Sequence, residues 1–263
     1  MTDPETLERR ALFGLDFVDA PDVGVVCDAL VEAETSDGPG LPVVVTPNVD
    51  HLVKLDRGTD AAANDVAHRA RWVLPDGQPV VWASRLLGRP LRGRLAGSDL
   101  VARLFPRLVA DGHTVVVVAS SAEVASRVRA EAGDTHAILA PQLSLDDAVG
   151  FDAFVDECAG VVEHVGADYV FVTLGFPKQC NVIAGILDRV PDTRRPLLLA
   201  VGASFEMHYG LVRRAPAWMQ RWGLEWLYRF LHEPRRLFHR YFVDDPAFVR
   251  LVWQEWRRGD RRR

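Results

Sequence analysis

The 263-residue chain has no run of eighteen or more apolar residues, so no helical membrane span is predicted. Residues 1–10 carry acids among their charges and lack an apolar signal core, the pattern of a mature, unexported start. Cysteine is scarce. Cys27, Cys158 and Cys180 are scattered and odd in number, which predicts a reducing compartment and neither a disulfide frame nor a zinc knuckle. The histidines form no His-x-x-x-His pair, and no metal site is predicted. Gly-x-Gly-x-x-Gly and Walker loops are missing, which counts against a dinucleotide oxidoreductase or a P-loop kinase. Gly-x-Ser-x-Gly is missing too, which counts against a serine hydrolase. There is no internal repeat and no low-complexity tract.

What is present is a large apolar fraction, 48%, beside 25% charged residues, enough for one sizeable core. The net charge of −5 is unevenly spread. From Glu206 to the C-terminus thirteen arginines stand against seven acids, so this segment is cationic and the rest strongly anionic. The same segment holds five of the seven tryptophans: Trp218, Trp222, Trp226, Trp253 and Trp256. An Arg/Trp-rich tail on an acidic body points to a partner that is anionic and partly apolar.

Short Val/Leu-rich runs at 41–46, 114–119, 169–174 and 196–201, with a shorter one at 71–74, read as buried parallel strands. Helical spacing occupies 49–70, 79–87, 98–111, 122–132, 151–165 and 179–190 between them. The alternation predicts a doubly wound, mostly parallel, Rossmann-like α/β sheet covering residues 1–212, with residues 213–263 as a helical appendage. Residues 32–40 read as an acidic surface loop. In the appendage a helix is predicted to start near Pro216 and break near Pro234, and another to start at Asp244-Asp245-Pro246.

Ligands of such sheets bind beyond the carboxyl ends of the strands. Four clusters fall there. Thr46-Pro47-Asn48 offers a hydroxyl and an amide, either to cap the next helix or to bind a sugar. Asp76-Gly77 is by itself an ordinary turn, yet an aspartate at a strand end is also placed to act as a general base. Arg94 precedes Gly97-Ser98-Asp99, which opens a helix whose N-terminus suits an anion; a simple Ser98 cap is the plainer reading. Gly175-Phe176-Pro177-Lys178-Gln179 lets the backbone approach a ligand and supplies an amide, or is merely a connection. In the tail, the apolar residues from Trp218 to Leu231 recur at helical spacing, a stripe that suits either core packing or a membrane surface.

Together the clusters resemble the bacterial WecG/TagA/CpsF glycosyltransferases. The matching stretches are TPNVDHLVKL (46–55), LPDGQPVVWASRLLGRPL (74–91), RLAGSDLV (94–101), LGFPKQ (174–179), VGASFE (201–206) and RAPAWMQRWGLEWLYRFLHEPRRLFHRYF (214–242). The resemblance implies transfer of N-acetylmannosamine or a related sugar from a UDP donor to an undecaprenyl-diphosphate-linked acceptor. It implies inversion and no metal or other cofactor. Asp76 falls on the family's base and Thr46 on its threonine near the reacting sugar, with Asn48 beside it. Arg94 and Gln179 fall on its other site residues. The implied appendage covers the site and supplies arginines for the diphosphate, of which Arg229 and Arg236 match best and Arg240 next. A cytoplasmic protein at the inner membrane face, without a nucleic-acid partner, follows; self-association through the Trp stripe is a further expectation. The chain departs from the pattern at Cys180, where many relatives have glutamate. It also departs at Ser120-Ser121-Ala122, where a glycine-rich loop is usual, and at Pro141-Gln142-Leu143-Ser144, where a Gly-Tyr pair is usual. These departures motivate the alternative of an inactive relative that only binds or scaffolds.

Overall fold

A computed structural model describes residues 7–32, 39–212, 216, 219 and 246–260. Eight strands form one sheet: β1 (Arg9–Leu12), β2 (Leu15–Val18), β3 (Leu41–Val45), β4 (Ala70–Val73), β5 (Val115–Ala119), β6 (Thr135–Leu139), β7 (Tyr169–Val172) and β8 (Leu197–Ala200). Their spatial order is β1-β2-β4-β3-β8-β7-β5-β6. Only the β1–β2 hairpin is antiparallel. The doubly wound reading is therefore correct, with an added antiparallel edge.

The ten helices among the described residues are α1 (Val23–Glu32), α2 (Val49–Arg57), α3 (Ala61–Arg69), α4 (Gln78–Leu86), α5 (Gly97–Ala110), α6 (Ala122–Arg129), α7 (Ala148–Val165), α8 (Lys178–Arg189), α9 (Ser204–His208) and α10 (Pro246–Asp260). The strands are buried on both faces because helices cover both. Val116 and Val118 of β5 enter one core with α2, α3, α7 and α8. Val115 and Val117 enter the other, with α1, α5 and α6. This is why the strands read as unbroken apolar runs instead of alternating. Each fully buried valine contributes on the order of 1.5–3 kcal/mol of transfer free energy before chain entropy is charged against it.

Several expectations change in the structure. The single helix expected over 49–70 is two, because Gly58 takes a left-handed φ of 63° and closes α2, and the Asp60 side chain accepts from Ala63 N at 2.8 Å to start α3. Its last residue, Ala70, already belongs to β4. Helix α7 starts three residues earlier than expected, with Asp147 accepting from Gly150 N at 3.1 Å. The hairpin, α1 and β6 lie where no element was expected. β6 is an edge strand whose THAIL sequence is only half-buried, so its apolar signal is weak.

Part of the predicted appendage packs on the sheet domain. Phe248 and Leu251 of α10 join the core beside α2, and Phe248 lies 5.5 Å from Phe13 between ring centroids. The helix begins at Pro246, as the Asp-Asp-Pro signal predicts. Apart from the buried Met219, the Trp218–Leu231 stripe lies outside the described residues, as do the expected break at Pro234, Arg229, Arg236, Arg240 and most of the acidic 32–40 loop.

Candidate active site

The turns after β3, β4, β5, β7 and β8 meet at one edge of the sheet. After β3 the chain turns to α2 on one face, while after β8 it turns to α9 on the other. Neighbouring strands whose connections diverge leave a crevice between them, the usual ligand position in this architecture.

The turns are stitched together. Thr46 is buried and donates its hydroxyl to Ala200 O at 3.2 Å, joining the end of β3 to that of β8. Asp76 N donates to Pro47 O at 3.2 Å, joining the turns after β3 and β4. Leu95 N donates to Pro75 O at 2.9 Å, which brings in the segment before α5. A Cβ on Gly97 would lie 3.2 Å from both the Thr46 and the Ser204 hydroxyl oxygens. These three residues therefore share one point of the crevice, and the glycine lets α5 begin close to it without crowding the two hydroxyls.

Asp76 stands on a sharp corner. Gly77 has φ +114°, which L-residues with a Cβ rarely adopt, and α4 begins at the next residue. The glycine lets the chain leave β4 and turn at once into a helix, so the aspartate sits at the strand end. Arg94 is mostly buried and pairs with Asp99 at 3.3 Å, across the first turn of α5. Ser98 does not cap α5. The cap residue is Ala96 and no side chain bonds there, so the plainer reading of Ser98 is not realised. Asn48, by contrast, does cap: its side-chain oxygen accepts from His51 N at 3.3 Å.

On the other side of the crevice, Gln179 is 2% exposed and accepts from Gly202 N at 3.1 Å, tying α8 to the turn after β8. Phe176-Pro177 is a cis peptide. Phe176 stacks on His51 with ring centroids 4.7 Å apart, so the loops after β3 and β7 touch. A Cβ on Gly175 would meet nothing within 4 Å, so this glycine borders open space. Thus Thr46, Asn48, Asp76, Arg94, Gly97, Ser98, Asp99, Gly175, Pro177 and Gln179 lie on adjoining turns of one edge. Among the described residues no group of three or more His, Cys, Asp or Glu side chains is arranged to hold a metal ion.

The three departures noted in the sequence resolve differently. Cys180 is buried in the core, and desolvation pushes its thiol up to about 12; it packs inside and does not line the crevice. Ser120 does reach the site. Its N–H donates to the Thr173 hydroxyl at 2.8 Å, and its own hydroxyl donates to Glu206 Oε1 at 2.5 Å. The 141–144 segment is held by Lys178, whose Nζ donates to Leu143 O at 2.5 Å. Ser204, Thr173 and Glu206 were not singled out from the sequence. All three follow strands, and the strand-end rule applied to β7 and β8 finds them.

Fold and crevice define a doubly wound α/β protein with a crevice at the carboxyl edge of a mostly parallel sheet. The chain belongs to the glycosyl transferase WecG/TagA/CpsF family, whose profile matches residues 10–262, and it is a glycosyltransferase. It is 28% identical over 253 residues to a Bacillus spizizenii protein named N-acetylglucosaminyldiphosphoundecaprenol N-acetyl-beta-D-mannosaminyltransferase, covering 94% of this chain and 91% of that one. Bacillus subtilis strain 168 has a protein of the same name that is 30% identical over 176 residues, 65% of each chain. One from Staphylococcus aureus strain MW2 is 28% identical over 182 residues, 68% of each chain.

Proposed function

We propose that the chain transfers N-acetylmannosamine, its uronate or a related hexose from a UDP donor to a polyprenyl-diphosphate-linked saccharide, in one inverting displacement without a metal. The observation that carries the reading is the convergence of the Asp76 corner with Thr46, Gly97 and Gln179 on one crevice. The named activity of the Bacillus and Staphylococcus relatives supports the donor sugar and the lipid-linked acceptor.

In this reading Asp76 accepts the proton of the acceptor hydroxyl as that oxygen attacks the anomeric carbon. The bond to the UDP oxygen breaks on the opposite face, and the bonding pair leaves with the diphosphate. Thr46 and Asn48 contact the reacting sugar, and Gln179 holds the turn after β8 against it. Arg94, the α5 N-terminus at Gly97-Ser98-Asp99, and Arg229, Arg236 and Arg240 of the tail balance the leaving charge. The reaction belongs to cell-envelope or exopolysaccharide synthesis at the cytoplasmic face of the membrane.

The test is incubation with UDP-N-acetylmannosamine and a short-chain lipid-diphosphate N-acetylglucosamine, with product mass read by mass spectrometry. Asp76→Asn is expected to abolish transfer while nucleotide-induced thermal stabilisation persists. Near-wild-type turnover by that variant overturns Asp76 as the base. Activity lost in EDTA and restored by a divalent cation overturns the metal-free displacement.

A second reading, binding without turnover, is favoured by one feature: the Ser120 hydroxyl engages Glu206 at the edge where a nucleotide is expected. No thermal stabilisation by any nucleotide or nucleotide sugar in a panel would favour a scaffold, and product formation would dismiss it.

A further inference from the structure

Three buried polar side chains, Asp19, Ser84 and Glu255, hold one stretch of chain, residues 87–96 between α4 and α5. Ser84 Oγ accepts from Leu91 N at 2.9 Å. Glu255 Oε1 accepts from the Arg89 guanidinium at 2.8 Å. Asp19 Oδ1 accepts from Arg92 N at 2.7 Å. The stretch has no helix or strand of its own, so its backbone donors depend on such partners. Leu91 and Leu95 are buried and plug it into the protein. It also carries Arg94.

Asp19 directly follows β2, and β2 runs parallel to β4 with Phe17 opposite Val73. Asp19 therefore reaches the same edge of the sheet as Pro75 and Asp76. Along that edge the strands stand in the order β2, β4, β3. The stretch crosses them in that order. Arg92 N is fixed to Asp19 beyond β2, Leu95 N to Pro75 O beyond β4 at 2.9 Å, and Gly97 lies against Thr46 beyond β3. Arg94 falls between the first two anchors. Its backbone is pinned from both sides, and its guanidinium then meets Asp99.

From these observations we infer that Asp19 is a positioning residue of the transfer reaction: it fixes the backbone at Arg92 and so sets where Arg94 stands beside the leaving diphosphate. This rests on the role proposed for Arg94. The acceptor oxygen of Asp19 matters here more than its charge. The Nε atoms of Arg10 and Arg92 lie 3.6 and 3.8 Å from Asp19 Oδ2, while Glu8 takes the same two arginines at 2.8 and 3.0 Å. Asparagine would keep an oxygen facing Arg92 N and leave both arginines their partner Glu8. Alanine would leave Arg92 N without its acceptor, and the stretch between Leu91 and Leu95 would lose its middle anchor.

A double-mutant cycle of Asp19 with Arg94 in the full chain tests it, read both as kcat for transfer from UDP-N-acetylmannosamine and as the Kd of UDP. Asp19→Ala is expected to lower kcat on the order of tenfold with little change in the donor KM, because the charge on the diphosphate grows in the transition state. UDP should bind several-fold more weakly. Asp19→Asn should recover most of both losses. In an Arg94→Gln background, Asp19→Ala should add little to either. Amide hydrogen exchange should quicken in residues 87–96 and stay slow in β5 and β7. If Asp19→Ala does not fold, Ser84→Ala removes the neighbouring anchor and is expected to act the same way. Losses that simply add in the double variant overturn the inference and leave the role of Arg94 standing. So does an Asp19→Asn variant as impaired as Asp19→Ala. Arg94→Gln with wild-type kcat and UDP affinity removes the role of Arg94, and the inference falls with it. If no sugar is transferred, the UDP cycle decides: coupling upholds the Asp19–Arg94 link without the catalytic reading, and no coupling, or no UDP binding by wild type, overturns it.

Discussion

Replacing Gly97 by alanine probes the crevice where its parts are closest. The new methyl would sit 3.2 Å from the Thr46 and Ser204 oxygens and 3.5 Å from Thr46 Cγ2. Neither hydroxyl is easily moved. Thr46 is bonded to Ala200 O at 3.2 Å and Ser204 to Val201 O at 2.5 Å. Comfortable contact therefore requires both side chains, or the start of α5, to retreat by a few tenths of an ångström. Crowding of this kind costs about 1–3 kcal/mol. Gly97 is not in the left-handed region, so alanine also restricts the unfolded chain and returns about 0.4–1 kcal/mol. The net loss is about 0–2.6 kcal/mol, a fall in Tm of up to several degrees for a chain of this size. Activity should suffer more than stability. A misplacement of 1 Å can cost on the order of 100-fold, so a few tenths at Thr46 should cost about 3- to 10-fold in transfer rate. Urea unfolding and UDP release, measured side by side, separate the two effects. Thr46→Ser on top of Gly97→Ala removes the methyl at 3.5 Å and should recover part of the stability. A Gly97→Ala protein with wild-type rate would refute the reasoning, because Thr46 would then have no part in positioning the sugar.

Gln179→Leu leaves the Gly202 N–H without its acceptor in a buried turn; the expected cost is about 1–3 kcal/mol, with Gln179→Glu closer to wild type because it keeps an acceptor oxygen, checked by urea unfolding. The buried thiols make stability fall at high pH. Burial pushes Cys158 and Cys180 up to about 12 and Cys27 to about 11, from an ordinary 9.0, so the folded state keeps protons that the unfolded state sheds. Their contribution is complete below pH 9 and is lost as pH climbs through the folded values. Cys158→Ala should flatten that decline in unfolding free energy between pH 8 and 10 on the order of one thiol's share, and an unaltered slope would count against it. Ellman's reagent should label none of these three thiols quickly at neutral pH until the protein unfolds, because thiolate is the reactive form.

Much of the architecture was legible before any coordinates. The runs at β3, β5, β7 and β8 are apolar on both faces because each strand is covered on both faces, and that local fact alone distinguishes a parallel layer between helices. That Thr46, Asp76, Gly97 and Gln179 lie on adjoining turns of one edge was legible for the same reason: the loops there are short, so residues near the strand ends have few places to go. What escaped was weak in local signal. The β1–β2 hairpin has strands of four residues, and β6 is a half-buried edge. The split of the 49–70 helix hung on a left-handed Gly58 followed by an Asp60 cap, which periodicity averages over.

The sequence by itself determined the fold class, the family and the turns proposed to carry the site, since these depend on local pattern and short-range spacing. Only the tertiary structure decided which of those residues meet. Thr46 and Ala200 are 154 residues apart, and their bond exists because β3 and β8 are neighbours in the sheet, an order that no local pattern encodes. Cys180 and Ser120 both looked like changes at the site. Packing sent the thiol into the core and the hydroxyl to Glu206, because the direction of a side chain is set by the element it sits on and by what that element is pressed against. Helix α10 was legible as a helix. That one face would be buried on α2 while the other kept its tryptophans in solvent was settled by the partner it found.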